Sequence, residues 1–218
     1  MADRLHDLWV IPLRCPGCGA DLPVTGSEAL YHCPPCGSGW ELTGESLVPR
    51  EIGHVAGADL VERSGERVPM RRLPFWVFPF SVTMASGEAR TLAAYQGLSG
   101  NITPISAARG ERPPLVFVPA FSALPAQLLR AGRLLTLRNP PLTLASGRPV
   151  DITPIVFRET DARVLAETLV LATMTEERRL SATFLDSFTV RTGTGRLLTI
   201  AVQEREGRLL VPELRLEI

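Results

Sequence analysis

The sequence predicts an α+β fold in two parts, and three observations carry that reading. Two C-x-x-C pairs, Cys15 with Cys18 and Cys33 with Cys36, sit near the N-terminus. Two later stretches repeat apolar residues at helical spacing, and the C-terminal stretch divides into three apolar-rich runs separated by glycine-containing turns. The first part is a small four-cysteine unit over residues 9–49, followed by a charged linker over 50–72 with room for an edge strand. The second part, over 73–218, is an antiparallel-sheet domain with two helices.

The cysteine spacing is specific chemistry. A divalent zinc ion takes four soft or borderline ligands in a tetrahedron, and two residues between paired cysteines curl the chain so that both sulfurs point inward. The fourteen residues between Cys18 and Cys33 suffice for a return hairpin, and Trp40 to Val48 reads as a second hairpin around Thr43-Gly-Glu-Ser46. Gly19 and Gly37, which follow the knuckles, are expected to let a backbone amide approach a thiolate. Four thiolates saturate the ion, so Cys15, Cys18, Cys33 and Cys36 are expected to hold one structural Zn2+ with no open position for water.

The knuckles Cys15-Pro-Gly-Cys18-Gly and Cys33-Pro-Pro-Cys36-Gly resemble the bacterial and archaeal CPxCG zinc-ribbon family, whose knuckles are rubredoxin-like. The resemblance covers the N-terminal part and implies metal binding without implying one activity. Iron and one-electron transfer are the alternative use of such knuckles. The rubredoxin scaffold surrounds its iron with several aromatics and separates its pairs more widely. Here only Trp9, Tyr31 and Trp40 are near in sequence, which favours zinc. The remainder resembles uncharacterised bacterial proteins in which an LPFW segment (Leu73 to Trp76) and a VPAF segment (Val118 to Phe121) follow a ribbon.

The second part opens on Leu73-Pro-Phe-Trp-Val-Phe-Pro-Phe, where alternating bulky residues predict a strand and the prolines place it at an edge or beside a bulge. Phe75, Trp76, Phe78 and Phe80 read either as a core strand or as a partner-binding edge anchored by Trp76. Val116 to Phe121 allows the same two readings. A first helix is predicted over 122–137, with Ser122 as cap, Leu124, Leu128, Ala131 and Leu135 on one face, and Asn139-Pro-Pro as the stop. Gly132 should weaken it by about 1 kcal/mol relative to alanine. A second helix is predicted over 161–178, with Leu165, Leu169 and Ala172 inward and Glu176 and Glu177 solvated. Runs 184–191, 196–204 and 208–218 predict an antiparallel meander, with Thr192-Gly-Thr-Gly195 and Arg205-Glu-Gly207 as hairpin turns. Thr83–Gly87 followed by Asn101–Ile105 echoes Thr143–Gly147 followed by Asp151–Ile155, which raises a degenerate internal duplication as a reading to test.

Composition excludes several chemistries. All 23 basic residues are arginine, so a Walker-A lysine, a pyridoxal Schiff base and a lysine nucleophile are out. Every cysteine lies in a knuckle, leaving none for a catalytic thiol or a disulfide framework. His6, His32 and His54 belong to no visible catalytic constellation. Basic and acidic residues balance at 23 each, so no net field steers nucleic acid or an anionic membrane to the chain. The first residues do not read as a signal peptide, and the uncharged runs are too polar, too proline-rich or too short to span a bilayer. A cytoplasmic location is the expectation.

These exclusions leave a non-catalytic adaptor or accessory subunit that docks on another protein or larger assembly as the leading expectation. A nucleic-acid-binding or transcription-associated protein is an alternative. It suffers from a ribbon that sets Arg14 against Asp21, Glu28, Glu41 and Glu45. A rubredoxin-like iron carrier is the third.

Overall fold

The computed structural model describes residues 13–56, 70–84, 87–99, 107–147, 151–175, 188–205, 208–212 and 216–217. It is an α+β chain with two sheets. The first is the ribbon sheet, in which β1 (Leu30–His32), β2 (Gly39–Thr43) and β3 (Ser46–Arg50) pair antiparallel in that order. Past β3 the chain turns at once into β4 (Ile52–His54) of the second sheet, inside the stretch read as linker. Gly39 is required there, because a Cβ on it would lie 2.4 Å from the Arg50 carbonyl oxygen and 2.7 Å from the Ile52 side chain.

The spine of the second sheet is β5 (Arg71–Met84). One side of β5 pairs with β9 (Arg196–Arg205) through residues 71–77 and then with β8 (Thr189–Thr192) through residues 80–83. The other side pairs with β7 (Leu115–Pro119) through residues 75–79 and with β6 (Gly87–Ala89) through residues 82–84. Beyond β9 lie β10 (Arg208–Val211) and β11 (Leu216–Glu217), the antiparallel end of the expected meander. The sheet is not wholly antiparallel, since β4 runs parallel to β9.

The edge placement of Leu73 to Phe80 is therefore corrected: β5 is central. Its prolines survive because each faces the end of a flanking strand rather than a donor-demanding ladder position. Pro74 faces the end of β7, where the Ala120 amide donates to its carbonyl at 2.9 Å. Pro79 faces the break between β9 and β8, where the Gly193 amide donates to its carbonyl at 2.7 Å. Thr192-Gly-Thr-Gly195 is likewise not a hairpin turn. It interrupts one long course, β8 then β9, along the same side of β5. Glycine is needed at the interruption because a Cβ on Gly195 would sit 2.4 Å from the Phe78 ring and one on Gly193 would sit 2.9 Å from Pro79.

Both faces of β5 are buried, which explains its near-continuous apolar run. Trp76, Phe78, Phe80, Val82 and Met84 enter one core with α1 (Leu92–Ser99) and α4 (Glu159–Thr175). Leu73, Phe75 and Val77 enter a second core against α3 (Pro125–Arg138). Four helices are present among the described residues where two were expected, the additions being α1 and the short α2 (Ala107–Gly110).

Helix α3 starts later than expected, with Leu124 rather than Ser122 at the N-cap and Pro125 at the first helical position. Leu124 is exposed, whereas Ala131 and Leu135 are buried as read. Gly132 has a packing reason: a Cβ would lie 2.8 Å from the Phe117 carbonyl oxygen and 3.0 Å from the Leu169 side chain. The inward face of α4 is also shifted. Ala162, Ala166, Leu169, Val170 and Met174 are buried, while Leu165 is 38% exposed. Alanine fills two of these buried positions, at 162 and 166, while Leu169 is buried as read. Glu176, Glu177, Arg178 and Arg179 fall outside the described residues.

The outer edge of β7 is covered by α3. The Thr136 hydroxyl accepts from the Phe117 amide at 3.1 Å, and Asn139 side-chain atoms both donate to the Leu115 carbonyl (2.7 Å) and accept from its amide (3.3 Å). Asn139 ends the helix in a left-handed conformation, φ 44°, and so acts as a one-residue strand beside Leu115. The two echoed segments differ in their pairing: Thr83 and Met84 of β5 pair with Glu88 and Gly87 of β6, whereas within Thr143–Gly147 Leu144 makes an isolated bridge to Val55. Asn101–Ile105 lies outside the described residues.

Candidate metal centre

The ribbon repeats one local design at each knuckle. The Gly19 amide donates to the Cys15 carbonyl at 2.8 Å and the Gly37 amide to the Cys33 carbonyl at 2.7 Å. The Cys15 amide donates to Ala20 at 2.8 Å and the Cys33 amide to Ser38 at 2.9 Å. Gly19 and Gly37 take φ of 77° and 76°, a left-handed turn that a side chain would strain. Their amides thus close the turn on a carbonyl, correcting the expectation that they reach a thiolate. That role falls to residues inside the knuckles: Gly17 and Cys18 amides approach the Cys15 sulfur, and the Cys36 amide approaches that of Cys33.

The four sulfurs converge. Cys15 and Cys36 Sγ are 3.5 Å apart, as are Cys18 and Cys33 Sγ, and all four sulfurs lie within 4.8 Å of one another. A tetrahedron with metal–sulfur bonds of about 2.3 Å has sulfurs about 3.8 Å apart, so the cage is the right size. A disulfide would need about 2.05 Å, and all four cysteines are free. The donor set therefore fits a metal ion and is compatible with zinc. Cys15 and Cys33 are buried, Cys36 is half-buried and Cys18 is exposed, so one corner of the cage meets solvent.

The sulfurs differ in acidity. Burial pushes the Cys33 thiol up to about 12. Cys36 is pulled down to about 6, first by the Ser38 hydroxyl 3.1 Å away and then by the Ser38 amide. For Cys15, burial raises the value but amide hydrogen bonds from Cys18 and Gly17 outweigh it and bring it below the ordinary range. A buried Cys33 thiolate is thus unfavourable without a neighbouring cation to neutralise it. Ser38 was not singled out from the sequence, although its place two residues after the second cysteine of a knuckle is the signal.

Around the cage lies a small core of Leu22, Tyr31, Leu13, Ala20, Trp40, Leu42 and Leu47. Glu28 supports the loop before β1. Its carboxylate accepts from the Thr25 amide and hydroxyl, both at 2.6 Å, and from the Gly26 and Ser27 amides at 2.8 and 3.1 Å. The ribbon is joined to the body beyond its covalent link. Leu30 is buried in the body's core, Ala29 and Leu30 amides donate to the Ile155 carbonyl, and Arg158 donates to the Leu42 carbonyl at 3.0 Å. Glu41 is held between Arg50, at 2.6 Å, and Arg158, at 3.6 Å.

The other sequence candidates separate from this centre. Phe75, Trp76, Phe78 and Phe80 are 0, 3, 0 and 3% exposed, and the Trp76 indole nitrogen donates to the Phe157 carbonyl at 2.9 Å. Those rings build the core, so their assignment to a partner-binding edge is withdrawn. Val116, Phe117, Val118 and Phe121 are buried as well. His32 is not part of the four-cysteine group, and its Nε2 is buried without a partner among the described residues. His54 is buried in β4, and Trp9 and His6 lie outside the described residues. No helix among the described residues is long and apolar enough to cross a membrane.

No protein-family model matches the chain, and neither a curated protein nor a solved structure matches it.

Proposed function

We propose that the chain is a non-catalytic adaptor or accessory subunit, braced by one structural zinc ion, that docks on another protein. The observation that carries this reading is an apolar groove between α3 and α4. It is a cavity of about 210 Å³ whose lining includes Leu128, Leu129, Phe157, Leu165 and Leu169. Of its lining residues, Leu129 and Leu165 are 44 and 38% exposed, so the groove opens to the surface. Scattered exposed leucines are ordinary, but a contiguous apolar patch centred on a groove is a recurrent mark of an interaction site. The occupant that suits a groove between two helices is an apolar helical segment of a partner, seated by residues at helical spacing. The metal then has no reactive duty: a four-thiolate cage holds the ribbon's shape and, through Leu30, its seat on the body.

The test is native co-purification with Leu129→Asp and Leu165→Asp variants alongside the natural chain. The reading expects one stoichiometric partner, lost in both variants while metal content and circular dichroism stay unchanged. A chain that runs as a partner-free monomer, or a partner retained equally by both variants, overturns it. Self-association through the groove would also overturn it and would show as dimers abolished by either substitution.

A further inference from the structure

We infer that the α3-facing side of the second sheet, beside α2 and the 139–147 segment, carries a binding site for an amphipathic organic anion, a carboxylate head on an apolar body. The site is a cavity of about 810 Å³ between the sheet, α2 and the 139–147 segment. Its lining is divided by chemistry. Val77, Leu115, Leu142 and Leu198 give an apolar wall, while Arg109, Arg112 and Arg196 supply three cations and no carboxylate lines the cavity among the described residues. In a chain whose charges balance at 23 of each sign, that is a local surplus of three. None of the three arginines forms an ion pair among the described residues, although seven other arginines do.

The ordinary explanation for two of them is helix capping. Arg109 donates to the Arg138 carbonyl at 3.0 Å and to the Asn139 carbonyl, and Arg112 donates to the Asn139 carbonyl at 2.6 Å. Those bonds hold the C-terminal end of α3, where cations are favoured. They account for one terminal nitrogen of each guanidinium. Arg109 Nε is buried without a partner among the described residues, and buried polar atoms left in that state are costly. Arg196 makes no such bond to α3, so capping does not explain the third cation. Two guanidiniums already immobilised by carbonyls are preorganised donors, and a carboxylate accepts their planar forks in pairs. Burial and the neighbouring Arg109 together push the Arg112 value down, the direction expected of like charges held close without a counter-ion. An anion would relieve that repulsion, and the apolar wall would cover its body. Neither feature is used by the metal cage or by the α3–α4 groove.

Titration calorimetry with decanoate, and with decanol as the neutral match, tests the site on the metal-loaded full chain. Decanoate is expected to bind with one-to-one stoichiometry and decanol at least tenfold more weakly. Arg112→Gln should weaken decanoate binding by tenfold or more. Arg196→Gln, which disturbs no helix cap, should weaken it severalfold with an unchanged denaturation midpoint. Decanol binding as tightly as decanoate, decanoate affinity that ignores Arg196→Gln, or no decanoate binding to the natural chain each overturns the inference. Loss of binding in Leu129→Asp but not in Arg196→Gln would assign the ligand to the α3–α4 groove and would also overturn it.

Discussion

Leu30 of the ribbon and Ile155 of the body form an antiparallel bridge, with the Ala29 and Leu30 amides both donating to the Ile155 carbonyl at 2.7 and 3.3 Å. Both side chains are 1% exposed and belong to the same core. The cage therefore reaches the body's packing through β1, alongside the Arg158 contacts to Leu42 and Glu41 in β2. Leu30→Ala is expected to destabilise the whole chain by about 2–5 kcal/mol, the usual range for a buried leucine truncation. Denaturation followed by near-ultraviolet and far-ultraviolet signals should show one coincident transition, shifted down, with metal content unchanged. Loss of metal with an unshifted body transition would mean that the ribbon stands apart.

A second consequence concerns Gly195. The added Cβ of Gly195→Ala meets the Phe78 ring, which also stacks on Trp76 at 6.3 Å and carries Arg163 over its face at 5.1 Å. Overpacking of this kind costs about 1–3 kcal/mol. Phe78→Leu removes the obstructing ring, so the double variant should be more stable than the sum of the two single losses. Additive losses in a denaturant series would contradict the close approach.

Asn139 offers a third. It is fully buried, left-handed and bonded on both sides to Leu115. Asn139→Ala leaves the Leu115 amide and carbonyl unpaired at about 1–3 kcal/mol for each group. Asn139→Gly accepts the backbone conformation but restores neither bond. It should recover about 1 kcal/mol of the alanine loss, and chemical denaturation of the three proteins measures both steps. Equal stability of the natural chain and Asn139→Gly would show that the strand mimicry contributes nothing.

Glu28 sets a pH dependence. Partial burial raises its carboxyl value, but hydrogen bonds from Thr25, Glu28 and Gly26 backbone and the Thr25 hydroxyl outweigh that and hold it below the ordinary 4.5. A carboxyl depressed in the folded state contributes stability above its ordinary value and loses it as pH falls through the lower folded value. The natural chain should exceed Glu28→Gln in denaturation midpoint near neutrality, and the two should converge below pH 4.5 as that carboxyl protonates. A gap that persists unchanged in acid would assign the difference to something other than this charge.

The cage was legible because its chemistry is local: two spaced pairs and two glycines specify it within a few residues. The body was legible as strands and helices but not in its pairing. Pro74 and Pro79 suggested an edge because sequence does not reveal that β5 changes partners on each side, leaving both prolines opposite strand ends. Thr192 to Gly195 read as a turn because glycine also serves close approach, here to Phe78 and Pro79. In α4 the leucine periodicity placed Leu169 inward correctly but Leu165 wrongly, and it passed over Ala162 and Ala166, since a buried alanine carries little apolar signal in sequence. The seat of Leu30 beside Ile155 and the gathering of Arg109, Arg112 and Arg196 join distant segments, and no local pattern announces either.

Metal analysis of the purified chain, combined with thiol titration, tests the central claim most directly. One zinc per chain is expected, in a colourless protein whose four thiols react fully only after a chelator removes the metal, with the denaturation midpoint falling at the same step. Four freely reactive thiols without stoichiometric metal, a coloured iron-loaded protein, or a disulfide among Cys15, Cys18, Cys33 and Cys36 would contradict it.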